Sequence, residues 1–137
     1  MKKILIATHS YFAKGALNTV ELLVGEQTDV SVINAYTNDS DYTEEVDSFF
    51  EGYSTENEYI VFTDLYGGSV NQKLFGYKEK FDFHLITGFN LPIILEVLLS
   101  PNKLTTEDVE ELINNCRLEM KLVVGEETDS NDEEDFL

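Results

Sequence analysis

Short apolar runs alternate with stretches of helical periodicity along this chain, and the alternation predicts both the elements and their order. Ile4-Leu5-Ile6-Ala7 is a continuous apolar run that stops at the polar Thr8-His9-Ser10, the pattern of a strand buried on both faces. Ala13, Ala16, Leu17, Val20, Leu23 and Val24 then recur at helical spacing, which predicts a first helix closed by Gly25. Val30, Val32 and Ile33 mark a second strand. After the polar Thr37-Asn38-Asp39-Ser40-Asp41 a second helix is predicted, with Asp41 as N-cap, Glu44 three residues on, and Val46, Phe49, Phe50 and Tyr53 as its apolar stripe. Tyr59-Ile60-Val61-Phe62-Thr63 is β-branched and aromatic, hence a third strand. Gly67-Gly68-Ser69 follows as a turn that opens a third helix through Leu74, Phe75 and Tyr77. Phe83-His84-Leu85-Ile86-Thr87 reads as a fourth strand. Beyond Gly88, Ile93, Ile94, Val97 and Leu98 predict a fourth helix with Pro92 in its first turn and Pro101 past its end. A fifth helix carries the strongest local signature: Thr105 as N-cap, Asp108 in place of the capping-box Glu, and Leu104 placed to staple onto Val109. Its stripe is Val109, Leu112, Ile113 and Cys116.

Strands alternating with helices at this spacing predict an α/β domain with an open, mainly parallel sheet flanked by helices and joined by right-handed crossovers. Met120-Lys121-Leu122-Val123-Val124 is a further short apolar segment without a partner in sequence order. Residues 126–137 hold seven acids and no base, the composition of a disordered tail, so the folded domain is expected over residues 1–125. In open sheets of this kind, ligands bind at the C-terminal ends of the strands where the strand order reverses. The loops after the first and third strands are singled out by that rule. In a strand order 2-1-3-4 they are neighbours.

These two loops hold the most reactive polar groups of the chain, Thr8-His9-Ser10 and Asp64-Leu65-Tyr66-Gly67-Gly68-Ser69. A carboxylate beside an imidazole fixes its tautomer and stabilises the imidazolium, leaving the other ring nitrogen as nucleophile or base, and His9 with Asp64 could form such a pair. Gly67-Gly68-Ser69 could supply amides at a helix N-terminus, close backbone approach and a hydroxyl, which together suit a phosphoryl group. Each residue also has a purely structural reading: Ser69 as a helix cap, Asp64 in an Asx-turn, the glycines at positive φ.

With these residues in place the sequence resembles the IIA component of the mannose-type sugar phosphotransferase system, a small phosphohistidine carrier. The resemblance rests on three stretches in the expected βα order: Ile4-Leu5-Ile6-Ala7-Thr8-His9-Ser10, then Val61-Phe62-Thr63-Asp64-Leu65-Tyr66-Gly67-Gly68-Ser69, then Thr87-Gly88-Phe89-Asn90-Leu91-Pro92 running into Leu95-Glu96. It spans about residues 2–125. It implies that His9 accepts the phosphoryl group, that Asp64 holds its ring, and that Ser69 with the Gly68 and Ser69 amides contacts the phosphoryl oxygens. Thr8, Ser10 and Asn90 would border the site. It further implies donation by the phosphocarrier HPr, onward transfer to a separate IIB component, no metal and no cofactor. The family also forms dimers that exchange a C-terminal antiparallel strand, for which residues 120–124 are the candidate. This chain departs from the family pattern at Ser10 (commonly Gly), Val70 (commonly Pro) and Gln72 (commonly Asn). Two other readings stand beside it: a regulatory module whose binding follows His9 phosphorylation, and the phosphocarrier of a dihydroxyacetone kinase system. The latter usually lacks the double glycine before the serine.

Charge narrows the partners. The 137 residues carry 9 Lys and Arg against 27 Asp and Glu, a formal net charge of -18, and no basic residue occurs between Lys14 and Lys73 while twelve acids do. Nucleic acid and anionic membrane surfaces are bound through Lys and Arg, so both are disfavoured, and a basic protein partner is not. The run after Met1-Lys2-Lys3 is too short for a signal-peptide core, and no segment reaches membrane-spanning length. With the single Cys116, these features predict a cytoplasmic domain. His84 within a strand and Cys116 on a helical stripe read as structural residues. No GxGxxG or Walker A motif is present, so nucleotide chemistry is not expected.

Overall fold

Four strands form one all-parallel sheet: β1 (Lys2–His9), β2 (Val30–Ala35), β3 (Glu58–Thr63) and β4 (His84–Thr87), in the order β2-β1-β3-β4. This computed structural model describes residues 1–125, and the segment 126–137, expected to be disordered, lies outside them. Among the described residues five helices fill the crossovers and follow β4: α1 (Phe12–Val24), α2 (Thr43–Phe50), α3 (Ser69–Gly76), α4 (Leu91–Leu99) and α5 (Thr106–Arg117). A 3-10 turn over Tyr77–Glu79 follows α3.

The central strands explain the continuous apolar runs, because both of their faces are covered. On one face Ile4, Ile6, Ile60, Phe62 and Ile86 pack against Ala13, Ala16 and Val20 of α1, Ile93, Ile94 and Val97 of α4, and Val109 and Cys116 of α5. On the other, Leu5, Ala7, Ile33, Tyr59 and Val61 meet Val46 and Phe50 of α2 and Val70 and Leu74 of α3. The N-terminal edge of the sheet is pinned by polar contacts. Lys2 Nζ donates to the carbonyls of Val97 (2.9 Å) and Ser100 (2.8 Å), a cation at the C-terminus of α4 where the helix dipole favours it. Glu58, beside Lys2, accepts the Leu104 amide at 2.6 Å and fixes the approach to α5.

Several boundaries differ from the sequence reading. β1 runs two residues past Ala7, so Thr8 and His9 belong to the strand and not to the loop after it. Asp41 does not cap α2. Tyr42 occupies that position because its ring is buried, and Asp41 accepts the Thr43 amide (3.0 Å) and hydroxyl (2.7 Å) from one residue further out. Those bonds, the hydroxyl first, hold the Asp41 carboxyl below its ordinary pKa. α2 ends at Phe50, yet Tyr53 still packs with Tyr59 and Phe81, at 4.9 Å from each ring. Phe75 is exposed: Val70 and Leu74, four residues apart, face the sheet, and the next residue is turned roughly 100° away. Residues 120–124 form no strand in this single chain, and Met120, Leu122 and Val123 stand in solvent.

α5 opens on the expected capping box, with Thr105 Oγ1 accepting the Asp108 amide (3.1 Å) and Asp108 Oδ2 accepting the Thr105 amide (2.9 Å). Replacing Thr105 by Ala is expected to cost about 1 kcal/mol of stability, read as a lower denaturation midpoint. The Thr105 amide and hydroxyl hold the Asp108 carboxyl below its ordinary pKa. A depressed folded-state pKa contributes stability above the unfolded value and loses it as pH falls through the folded one. The variant should therefore also show a shallower loss of stability on the acid side.

Candidate functional site

The C-terminal ends of β1 and β3 lie side by side, with Ala7 opposite Thr63, so His9 at the end of β1 and Asp64 just past β3 meet across the strand gap. The His9 main-chain N–H donates to Asp64 Oδ2 at 2.9 Å, and the ring Nδ1 lies 3.0 Å from Oδ2 and 3.3 Å from Oδ1. Leu65 N–H donates to Oδ1 at 3.1 Å. The carboxylate is thus held by its own strand end and is only 10% exposed, whereas the His9 side chain is 37% exposed. An ionised carboxylate only accepts, so in the neutral ring Nδ1 carries the proton and Nε2 the lone pair.

On the Nε2 side stands the start of α3. Ser69 Oγ is 3.5 Å from Nε2, at the outer limit of a hydrogen bond. Gly68, not Ser69, is the N-cap residue, and its amide already donates to the Leu65 carbonyl at 3.1 Å. A Cβ on Gly68 would lie 3.1 Å from Leu65 Cβ and 3.2 Å from its carbonyl oxygen, a crowding against the Leu65 turn that glycine relieves, and 3.6 Å from His9 Cε1, an ordinary contact. Gly67 supplies the positive φ of 74° that turns the chain there, and Gln72 Nε2 ties that turn down by donating to the Gly67 carbonyl at 2.6 Å. The first-turn amides of α3, from Ser69 onward, have no acceptor within the helix and carry the positive end of its dipole.

The remaining expected site residues have distinct places. Thr8 is fully buried, and its Oγ1 accepts the Ala13 amide at 2.7 Å, so it serves the first turn of α1. Ser10 is exposed with φ 54° and donates its amide to Ala35 at 2.8 Å, a left-handed bend at the position where the resembling family commonly has glycine. Asn90 caps α4 by accepting the Ile93 amide (3.0 Å) and donates to the Cys116 carbonyl (2.8 Å), which ties α4 to α5. Both polar ends of that side chain are thus engaged within the fold. Cys116 is buried, and burial, followed by Glu96 and Glu119, pushes its thiol pKa up. His84, at the opposite end of the sheet from His9, bonds through Nε2 to the Leu104 carbonyl at 2.9 Å. Among the described residues no three His, Cys, Asp or Glu side chains are grouped as a metal site would require. No helix among them is long and apolar enough to cross a membrane.

One residue escaped the sequence reading. Tyr36 follows β2 directly, and its hydroxyl lies 2.8 Å from Ser69 Oγ with its ring 5.5 Å from the His9 ring. Its φ of 67° places a non-glycine in the left-handed region, at a cost of roughly 1 kcal/mol. The Ser69 hydroxyl, then Tyr42, lowers the pKa of its phenol. The available signal was positional: Tyr36 is the first residue past β2, whose last residue Ala35 pairs with His9 at the end of β1, on the edge where open sheets bind ligands.

A histidine held by a carboxylate, with a serine at a glycine-opened helix start, is a geometry for taking up an anionic group. The family model of the phosphotransferase system fructose IIA component matches residues 3–116. The chain belongs to this family. Among solved structures it is similar to a protein of Klebsiella pneumoniae named as a phosphoenolpyruvate-dependent sugar phosphotransferase permease. The two are 33% identical over 88% of this chain and 90% of that one, with a TM-score of 0.79. It is also similar to the IIA protein associated with the fucose utilization operon of Streptococcus pneumoniae, at 30% identity over 88% and 92% and a TM-score of 0.74. The mannose/sorbose-specific IIA subunit of Enterococcus faecalis shares the fold, with a TM-score of 0.79 over 94% and 100% of the chains at 20% identity. The IIA assignment covers the β2-β1-β3-β4 sheet from Lys3 onward and α5 up to Cys116.

Proposed function

We propose that this IIA domain is a phosphohistidine carrier in which His9 Nε2 accepts a phosphoryl group from HPr and passes it to a separate IIB component. The observation that carries the reading is the Nδ1 contact with Asp64 at 3.0 Å, which leaves the lone pair on the other ring nitrogen, beside Ser69 and the start of α3. In the forward step the Nε2 lone pair forms a bond to phosphorus as the N–P bond of the donor phosphohistidine breaks, and the donor imidazole leaves with the bonding pair. Positive charge grows on the His9 ring, opposite the Asp64 carboxylate. The phosphoryl oxygens are met by the Ser69 hydroxyl and the first-turn amides of α3. The Gly68 amide stays with the Leu65 carbonyl at 3.1 Å. Transfer between two histidines is nearly balanced, so positioning and charge stabilisation are what the protein supplies.

The decisive experiment mixes the protein with phosphoenolpyruvate, enzyme I and HPr and measures intact mass. A gain of one acid-labile phosphoryl group that requires HPr supports the reading; no gain by the folded protein rejects it.

The acidic surface, net charge -18, suits a donor with basic side chains around its active histidine. Transfer from phosphorylated HPr is expected to slow about tenfold on going from low to high salt, through KM and not kcat. A rate independent of ionic strength would remove electrostatic steering from the account. The exposed Met120, Leu122 and Val123 follow α5 in a chain whose β4 edge is open, an arrangement that fits a strand exchanged between two copies in a cytoplasmic dimer.

A further inference from the structure

The site as read so far leaves the Ser69 hydroxyl with two neighbours of opposite consequence. Donated to Nε2, it would occupy the lone pair that must attack phosphorus; pointed away, it can serve the phosphoryl oxygens. The distances already rank them. Ser69 Oγ is 2.8 Å from the Tyr36 hydroxyl, the ordinary length of an O–H···O bond, and 3.5 Å from Nε2.

We propose that Tyr36 is a positioning residue for phosphoryl transfer, holding Ser69 Oγ so that its hydroxyl serves the phosphoryl group and leaves the His9 lone pair open. The inference rests on the phosphocarrier reading above and deepens it.

The Tyr36 side chain is 60% exposed and contributes little to the core, yet its backbone is held at φ 67°, a conformation that costs a non-glycine residue. The ring is braced from behind by Tyr42, edge-on at 5.7 Å, and Tyr42 is itself buried and faced by Lys73 at 5.0 Å from its ring centre. Lys73 in turn pairs with Asp41 at 3.4 Å. The phenol therefore reaches Ser69 from a fixed support on the β2–α2 loop and the side of α3. With a phosphoryl group in place, the phenol donates to Ser69 Oγ while the serine O–H turns to a phosphoryl oxygen. The bond to Tyr36 persists through the transfer, with only its direction set.

The test uses the full-length protein and its Tyr36→Phe variant, which keeps the ring and its packing. Phosphorylated HPr is the donor, and single-turnover transfer is measured in wild type, Tyr36→Phe, Ser69→Ala and the double variant. Tyr36→Phe is expected to lower the maximal transfer rate about tenfold, the worth of one hydrogen bond, with KM within about twofold of wild type. In the Ser69→Ala background the same change should have no further effect, because its target is gone. The ring nitrogen NMR signal of His9 Nε2 should move upfield in Tyr36→Phe as the released serine bonds to it. The proposal is overturned by a wild-type rate in Tyr36→Phe, by an equal loss in both serine backgrounds, or by a loss confined to KM, the mark of a docking residue. If wild type itself accepts no phosphoryl group, the phosphocarrier reading fails and takes this inference with it.

Discussion

His9→Ala is expected to yield a folded protein that gains no phosphoryl group from phosphoenolpyruvate, enzyme I and HPr, where wild type gains one. The fold should survive because the alanine keeps the main-chain N–H that donates to Asp64 Oδ2 at 2.9 Å, and Leu65 N–H still holds Oδ1. The loss should be complete because the chain has only one other histidine, and it is misplaced for the task. His84 is level with Ile4, since both pair with Ile60, so it stands five strand residues, about 16 Å, from the level of His9. It is also bonded to the Leu104 carbonyl. Intact mass with coincident thermal melting checks both halves of the expectation. A residual acid-labile phosphoryl group in the variant would move the acceptor away from His9.

The strands were legible because β1 and β3 are central and covered on both faces, which writes them as unbroken apolar runs, and because α5 announces itself through Thr105 and Asp108. The meeting of His9 with Asp64 followed from topology alone: two strand ends that flank the switch point must be neighbours. Other features required packing that the sequence does not display. Phe75 looked like stripe material, but its direction depends on which side of α3 Val70 and Leu74 choose. Asp41 lost the cap of α2 to Tyr42 because burial of a ring outweighed the preference for a carboxylate at that position. Tyr36 was invisible for a different reason. Its contact with Ser69 joins the loop after an edge strand to the start of a helix 33 residues on, through a left-handed backbone angle that no local motif announces. Residues 120–124 read as a strand and form none among the described residues, where β1 and β3 have both edges filled and the segment reaches neither outer edge.

Asp64→Asn should retain the fold and slow transfer on the order of a thousandfold, the effect expected when a carboxylate that fixes a reacting imidazole is made neutral. In the parent, Oδ2 receives both the main-chain N–H and Nδ1 of His9. An amide offers only one oxygen. At the Oδ2 position that oxygen still accepts from both His9 groups and sets the NH2 against the Leu65 N–H; at the Oδ1 position it keeps the Leu65 bond, and the NH2 then faces the His9 main-chain N–H and donates to Nδ1, which must be the unprotonated nitrogen. In that second orientation the proton moves to Nε2, and the nucleophile is lost without any change in shape. The imidazolium charge that grows during transfer is also left without its counter-charge. Alanine at the same position removes the orienting bond but imposes no wrong tautomer, so with the second orientation Asp64→Ala should retain more activity than Asp64→Asn. That inverted order distinguishes control of the tautomer from simple loss of packing. Single-turnover transfer gives the rates, and ring nitrogen NMR shows which nitrogen carries the proton. A rate for Asp64→Asn within about threefold of wild type would detach Asp64 from the chemistry and leave it a support for the end of β1.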